Sequence, residues 1–283
     1  LYRGGPHVIM YLMHIVIDIG GTKTRIGFSE DLNSFAEIKR YDTPEDLESL
    51  QNLILTETEK HDIESVRIGI ASTIAKETNT IITDRNIGYI KGLKPEDIYT
   101  PGGKISMNND TELAALGEYF YGDWEKKPNI MAYITLSTGV GGSRLINGKL
   151  DETPHNYEPG RMIINKEGQE KDPSGGVGTF EAYCSGIGFL NIYGQNPQDC
   201  KDSSIWARYS RDLAVGLTNI SLIWAPDVIV IGGGLSQKAD LFIDSTVRKM
   251  ATLSSDLKIP EIKISKLGDR NGLLGGLGAA PTK

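Results

Sequence analysis

Hydrophobic and polar positions follow two rhythms along this chain. The first is the short β-branched run. "HIVIDIGGTKTRIGFSE" (residues 14–30) reads as strand, tight turn, strand, with Gly20 and Gly21 in the turn. "SVRIGIAS" (65–72) has the pattern of a buried strand, and "KISMNND" (104–110) that of a shorter one. The second rhythm is helical. In 43–60, Leu47, Leu50 and Ile54 fall at helical spacing, Thr43 serves as the cap and Pro44 fits the first turn. "DTELAALGEYFYG" predicts a helix that Asp110 or Thr111 begins and Gly122 ends.

The logic then starts again. "MAYITLSTGVGGSRLING" (131–148) is an apolar strand, a Gly-rich turn with Thr138, and a strand that leaves with Arg144. Set beside "IDIGGTKTRIG", it makes a weak internal repeat, two hairpins of similar build about 120 residues apart. A polar, loop-rich stretch fills 151–178. A long helix follows in 203–224, with Ile205, Tyr209, Leu213, Leu217, Ile220 and Trp224 on one face and Pro226 as its stop. "DVIVIGGGLSQ" (227–237) predicts a buried strand, three glycines and a helix start capped by Ser236. The tail "NGLLGGLGAA" can pack a helix very close to a sheet. Strand-rich stretches alternate with helices, so the class is α/β with mixed sheets.

Length and composition narrow the function. A chain of 283 residues is long enough for a large core and two domains. Its 39% apolar and 24% charged residues are ordinary for a globular protein. A net charge of −7 with no long basic run argues against nucleic acid as the main partner. The apolar run from Val8 to Ile17 lacks a signal peptide's flanks and reads as a first strand behind a few loose residues. No apolar run approaches the roughly 20 residues of a membrane span. Two cysteines, Cys184 and Cys200, make neither a metal pair nor a disulfide framework, so a reducing cytoplasm is the expected compartment.

The candidate chemistry sits in the glycine turns. Backbone N–H groups of Gly20 and Gly21 can converge on phosphate oxygens because no Cβ blocks the approach. Thr22 and Thr24 add hydroxyls, Lys23 adds charge, and Asp18 can hold Mg²⁺ through water. An ordinary Gly-Gly hairpin is the competing reading. "STGVGG", with Thr138, Gly139 and Gly141, and "IGGG", with Gly232, Gly233 and Gly234, are each weak alone. Their order along the chain is the stronger signal. Asp110 in "NND" is either a helix cap or a catalytic carboxylate kept ionised by the helix N-terminus. Glu158 and Glu181 are surface residues or carboxylates that accept from adjacent sugar hydroxyls. The four histidines show no ligand spacing.

With those residues in place, the chain resembles the ROK family of sugar kinases and regulators, within the actin/hexokinase superfamily. "DIGGTKT" and "STGVGG" look like its two phosphate motifs and "PDVIVIGGGLS" like its adenosine motif. "NNDTELAALGE" and "GGVGTFEAYCSG" are similar to its catalytic helix and its sugar-contacting segment. The resemblance implies two ribonuclease-H-like (actin-like ATPase) domains with mixed sheets around a central cleft. The small domain would span 1–108 plus a returning C-terminal helix in 268–283, and the large one 109–267. It implies an ATP-dependent, Mg²⁺-requiring kinase of a hexose or N-acetylhexosamine. Asp110 would be the base, Asn109, Glu158 and Glu181 would grip the ring, and Asn86 in "NIGYIKG" would close over it. Small-molecule sugar and ATP would be the partners, and a homodimer is allowed for.

The family usually carries zinc on three cysteines and a histidine. Here those positions hold Asp172, Ser174, Thr179 and Arg161, so no zinc is expected. Arg161 is a candidate substrate residue at the histidine position, and an Arg161–Asp172 ion pair is the expected stand-in for the metal. The alternatives are a sugar-responsive regulator, which needs a DNA-binding helix-turn-helix before a strand that starts near residue 15, and a non-catalytic sugar sensor lacking that domain.

Overall fold

The computed structural model describes residues 12–84, 86–100, 102–254, 256 and 258–278. Contacts divide the chain into two compact units. One runs to Asp110 and takes up the chain again from Gly276; the other is Thr111–Gly275.

The first unit is built on a five-stranded sheet. Strands β1 (Met13–Ile19), β2 (Lys23–Ser29) and β3 (Glu37–Asp42) are joined by short turns and run antiparallel. Helix α1 (Leu47–Thr58) then returns the chain so that β4 (Ile63–Ile70) lies parallel to β1, as a crossover connection requires. A small hairpin, β5 (Ile74–Ala75) and β6 (Thr80–Ile81), and the short α2 (Pro95–Ile98) precede β7 (Lys104–Asn109), which is parallel to β4. The order is β3-β2-β1-β4-β7. Alternate residues of β1, Ile15, Ile17 and Ile19, are buried with Ile68, Ile70, Leu50 and Ile54.

Helix α3 (Asp110–Tyr121) leaves β7 and carries the chain into the second unit. There β8 (Ile130–Leu136), β9 (Val140–Ile146) and β10 (Lys149–Leu150) form the antiparallel run. A loop-rich stretch leads to α4 (Phe180–Cys184), α5 (Gly186–Tyr193) and the long α6 (Ser203–Trp224). Strand β11 (Val228–Gly232), helix α7 (Ile243–Leu253) and β12 (Glu261–Ile264) complete the sheet before α8 (Asn271–Gly278). Its order, β10-β9-β8-β11-β12, repeats that of the first sheet position by position, with antiparallel neighbours on one side and parallel ones on the other. The weak hairpin repeat in the sequence is thus the visible part of a repeated topology.

Several local expectations are corrected. Helix α1 starts at Leu47, not near Thr43: Asp46 is its cap, accepting from the Ser49 N–H at 2.8 Å. Ser236 caps no α-helix. It lies within a 3₁₀ segment, Gly234–Leu241, and its hydroxyl donates to the Gly233 carbonyl at 2.7 Å. Helix α6 stops at Ala225, held left-handed (φ 46°), one residue before Pro226. Trp206 rather than Ile205 carries the start of its buried face and stacks on Phe242. The glycines of α8 serve two partners. A Cβ at Gly275 would overlap the Leu113 carbonyl of α3, and one at Gly276 would overlap Val16 of β1. The loose residues expected before the first strand, and the end of the small-residue tail, lie outside the described residues.

Candidate functional site

The turn between β1 and β2 is short because Asp18 and Arg25 are cross-strand partners and the Gly20 N–H bonds to the Lys23 carbonyl at 3.0 Å. Arg25 Nη1 donates to Asp18 Oδ2 at 3.0 Å, both side chains being largely buried. A carboxylate anchored in this way is held in one orientation and can accept from metal-bound water. Lys23 pairs with Asp42 on β3. Gly21 and Thr22 are exposed at the tip. A Cβ on Gly21 would lie 3.0 Å from the Asn86 carbonyl, so Asn86 stands directly against the turn, and its side-chain amide donates to the Ala71 carbonyl at 2.9 Å. Thr24 does not face a ligand. It is fully buried and its hydroxyl lies 3.1 Å from that of Thr43.

At the end of β7, Asn109 Nδ2 donates to the Ser72 carbonyl at 2.9 Å, and Arg67 Nη1 donates to Asn108 Oδ1 at 3.2 Å. Burial pulls the Arg67 guanidinium down to about 10. Asp110 is the first residue of α3, where the helix dipole favours a negative charge.

In the second unit the equivalent turn joins β8 to β9. Thr138 is exposed at its tip. The Ser137 N–H closes it onto the Gly139 carbonyl at 2.9 Å. Glu181, the second residue of α4, reaches into this turn. Its Oε2 accepts from the Val140 N–H at 2.8 Å, and a Cβ on Gly139 would come within 2.5 Å of the same oxygen. Gly141 faces protein, since a Cβ there would meet Thr111 Cγ2 at 2.8 Å. At the end of β11, Gly232 is crowded by the Tyr133 ring and Gly233 (φ 84°) by the Leu136 carbonyl, whereas Gly234 opens onto empty space. Of the three, Gly234 has a backbone that a ligand can approach.

The 158–181 loop is fastened differently from the expected ion pair. Glu158, Pro159, Gly160 and Arg161 make a 3₁₀ turn whose Gly160 packs on the Val140 carbonyl. Arg161 Nε lies 3.7 Å from Glu158 Oε2, and its Nη2 donates to Ser174 Oγ at 3.3 Å. Asp172 takes other partners. It is 5% exposed, its Oδ1 accepts from the Ser174 and Gly176 N–H groups at 2.8 and 3.0 Å, and its Oδ2 accepts from the Thr179 hydroxyl at 2.9 Å. Thr179 in turn caps α4 by accepting from the Ala182 N–H at 3.1 Å. The expected Arg161–Asp172 bridge is therefore not formed; nearby backbone donors satisfy Asp172 first. Hydrogen bonds still tie all four positions together, through Ser174. Among the described residues no group of three or more His, Cys, Asp or Glu could hold a metal ion. Cys184 and Cys200 are buried free thiols, and burial pushes the Cys184 thiol well up.

The contribution of Thr43 to the first turn was not visible in sequence, where Thr-Pro ahead of a helical pattern reads as a cap. A hydroxyl residue directly after a strand that pairs with the turn's own strand is the only signal that could have suggested it.

Comparison with known proteins adds to this geometry. The sequence profile of the ROK family matches residues 14–282. An N-acetyl-D-glucosamine kinase of Citrobacter koseri is 28% identical over 298 residues, covering 93% of this chain and 97% of that protein. The crystal structure of a ROK family glucokinase from Streptomyces griseus, in complex with glucose and AMPPNP, superposes with a TM-score of 0.77 at 22% identity, covering 94% of this chain and 98% of the other. A ROK family transcriptional regulator, a homolog of the E. coli MLC protein, superposes with a TM-score of 0.78 at 17% identity, covering 95% of this chain and 78% of the regulator. The fold is that of the actin-like ATPases, with mixed α/β sheets.

Proposed function

The chain belongs to the ROK family, and from that premise we propose that it is an ATP-dependent kinase of a hexose or an N-acetylhexosamine. The observation that carries the reading is the repeated hairpin. The same strand, glycine turn and strand head two sheets of identical order, and Asp110 opens the helix that leaves the first sheet. The N-acetyl-D-glucosamine kinase at 28% identity supports the reaction class.

Phosphoryl transfer is mainly positioning and charge neutralisation. In this reading the backbone N–H groups of the exposed Gly21, Thr22 and Thr138 bind phosphate oxygens, and Gly234 lies against the nucleoside. Asp18 would hold Mg²⁺ arriving with ATP through water, and the ion would supply charge neutralisation at the phosphates. Asp110, at the start of α3 where the helix dipole favours a negative charge, accepts the proton of the attacking hydroxyl. Asn109 and Asn86, each pinned by its amide to a backbone carbonyl, and Glu158 and Glu181 bind the sugar hydroxyls. Glu181 also bonds the Val140 N–H, so a carboxylate bound to sugar is fastened to the second phosphate turn. Arg161 serves this group indirectly, through Glu158 and Ser174.

The test is an ADP-release assay over glucose, mannose, fructose, N-acetylglucosamine and N-acetylmannosamine. One of these should support turnover. Asp110→Asn should retain sugar binding by calorimetry and lose about 10³-fold or more in kcat. Near-normal turnover in that variant reduces Asp110 to a helix cap. The likeness to a regulator favours a second reading, a sugar sensor without catalysis. Sugar binding with no ADP release from any candidate would select it.

A further inference from the structure

Thr43 was expected to cap a helix, and the structure puts it to another use. It is the first residue after β3 and makes three contacts with the β1–β2 hairpin, two to the turn and one to β2. Its N–H donates to the Thr22 carbonyl at 3.1 Å. Its hydroxyl donates to the Gly20 carbonyl at 2.7 Å and lies 3.1 Å from the Thr24 hydroxyl. A hydroxyl has one proton to give. With that proton on the Gly20 carbonyl, the Thr24 hydroxyl must be the donor to Thr43. The result is a directed relay, Thr24 to Thr43 to Gly20, whose first member is completely buried. The Asn86 carbonyl also stands against the turn, 3.0 Å from where a Gly21 Cβ would stand. The turn is therefore gripped at Gly20 and Thr22 by Thr43 and limited at Gly21 by Asn86, while Gly21 and Thr22 remain exposed at its tip.

Glycine turns of this kind are conformationally permissive, and a permissive turn presents its amides to a ligand only part of the time. We propose that Thr43 is a positioning residue for nucleotide. Through the Thr24–Thr43–Gly20 relay it holds the Gly20–Lys23 turn in the one shape that binds ATP phosphates. The inference rests on the kinase reading, because it takes this turn as the phosphate turn. The hydroxyl contributes to nucleotide affinity without touching nucleotide. The sugar-binding carboxylates Glu158 and Glu181 make no part of the relay.

The experiment compares Thr43→Val, which keeps the side-chain shape and removes the hydroxyl, with Thr43→Ser, which restores it. AMPPNP and sugar affinities are measured by calorimetry, and KM for ATP and for sugar by steady-state kinetics. Thr43→Val should weaken AMPPNP binding and raise the ATP KM roughly five- to ten-fold, the loss of one hydrogen bond. Sugar affinity should stay within about two-fold, and Thr43→Ser should recover most of the loss. Thr24→Val should have the same effect, and the Thr24→Val/Thr43→Val double variant should be little worse than either single one, because one relay is cut in both. Unchanged AMPPNP affinity in a folded Thr43→Val protein overturns the proposal, as does equal weakening of sugar and nucleotide. A wild-type protein that binds AMPPNP but phosphorylates no sugar overturns the kinase reading and leaves the AMPPNP comparison to judge the relay. A wild-type protein that does not bind AMPPNP overturns both.

Discussion

Burial pushes the carboxyl of Asp212, on α6, from its ordinary 3.8 up to about 6, against the pull of Arg208 and Arg211. The sign of the consequence is the reverse of the usual acidic residue. Between the two values the folded protein binds more protons than the unfolded chain, so stability falls as pH rises through this window. The group contributes most below about pH 4 and has become a liability above about pH 6. Asp212→Asn should therefore raise Tm by about 2–4 °C at pH 7.5 and leave it nearly unchanged at pH 4, a modest effect because the side chain is partly open to water. Calorimetry at the two pH values checks it, and an equal gain at both would assign the effect to something other than titration. Glu118 is raised by burial in the same direction, but it accepts from the Ser265 hydroxyl and from Asn271, which draw it back down. Two buried carboxylates in one unit thus differ in whether a neutral donor meets them.

At the scale of elements, the 158–181 loop shows what sequence could and could not reveal. Both glycine hairpins, the strand before Asp110 and helix α6 were legible, because each depends on a period of two or 3.6 within one short stretch. The position of Asp110 at the head of α3 was legible for the same reason. Thr43 was misread because its partners, Gly20 and Thr22, lie some twenty residues earlier, where no local pattern points. Asp172 was paired with Arg161 on opposite charge and on the two metal-ligand positions they occupy. That argument overlooked its own turn, where the N–H groups of Ser174 and Gly176, two and four residues on, are already within reach. Local backbone donors carry no ordering cost for a long side chain and so win over a flexible arginine. An unequal pair of mutants follows. Asp172→Ala leaves two backbone N–H groups and a buried hydroxyl without their acceptor, and should cost about 2–4 kcal/mol in denaturant unfolding. Arg161→Ala removes half-exposed contacts at 3.3 and 3.7 Å and should cost under about 1 kcal/mol. Sugar affinity should fall more in the first, since Thr179 and α4 carry Glu181. Equal costs would restore the ion-pair picture.

Over the whole molecule, two cores of similar design stand on sheets of the same order, and the chain passes between the two units at Asp110–Thr111 and again at Gly275–Gly276. Each unit closes its core with its own apolar strands and helices, and the 158–181 loop of the second unit is closed with hydrogen bonds. The four positions that resemblance assigns to a metal are Arg161, Asp172, Ser174 and Thr179. They are already joined, with the buried acid at the centre and Thr179 passing the connection to α4. A metal arriving there would have to displace three good hydrogen bonds and would find one carboxylate and two hydroxyls, a poor set for zinc, which prefers thiolate and imidazole. Purified protein should contain well under about 0.1 zinc per chain by elemental analysis. A strong zinc chelator should leave Tm within about 1 °C. A structural metal held at a thousand times its dissociation constant would add about 4 kcal/mol, which for a chain of this size is a shift of about 7 °C and easily seen. On the kinase reading, the same chelator should stop turnover only by removing Mg²⁺, and excess Mg²⁺ alone should restore it in full. Activity that returns only when zinc is added with Mg²⁺ would mean that the hydrogen-bonded loop is not the fastener of this site.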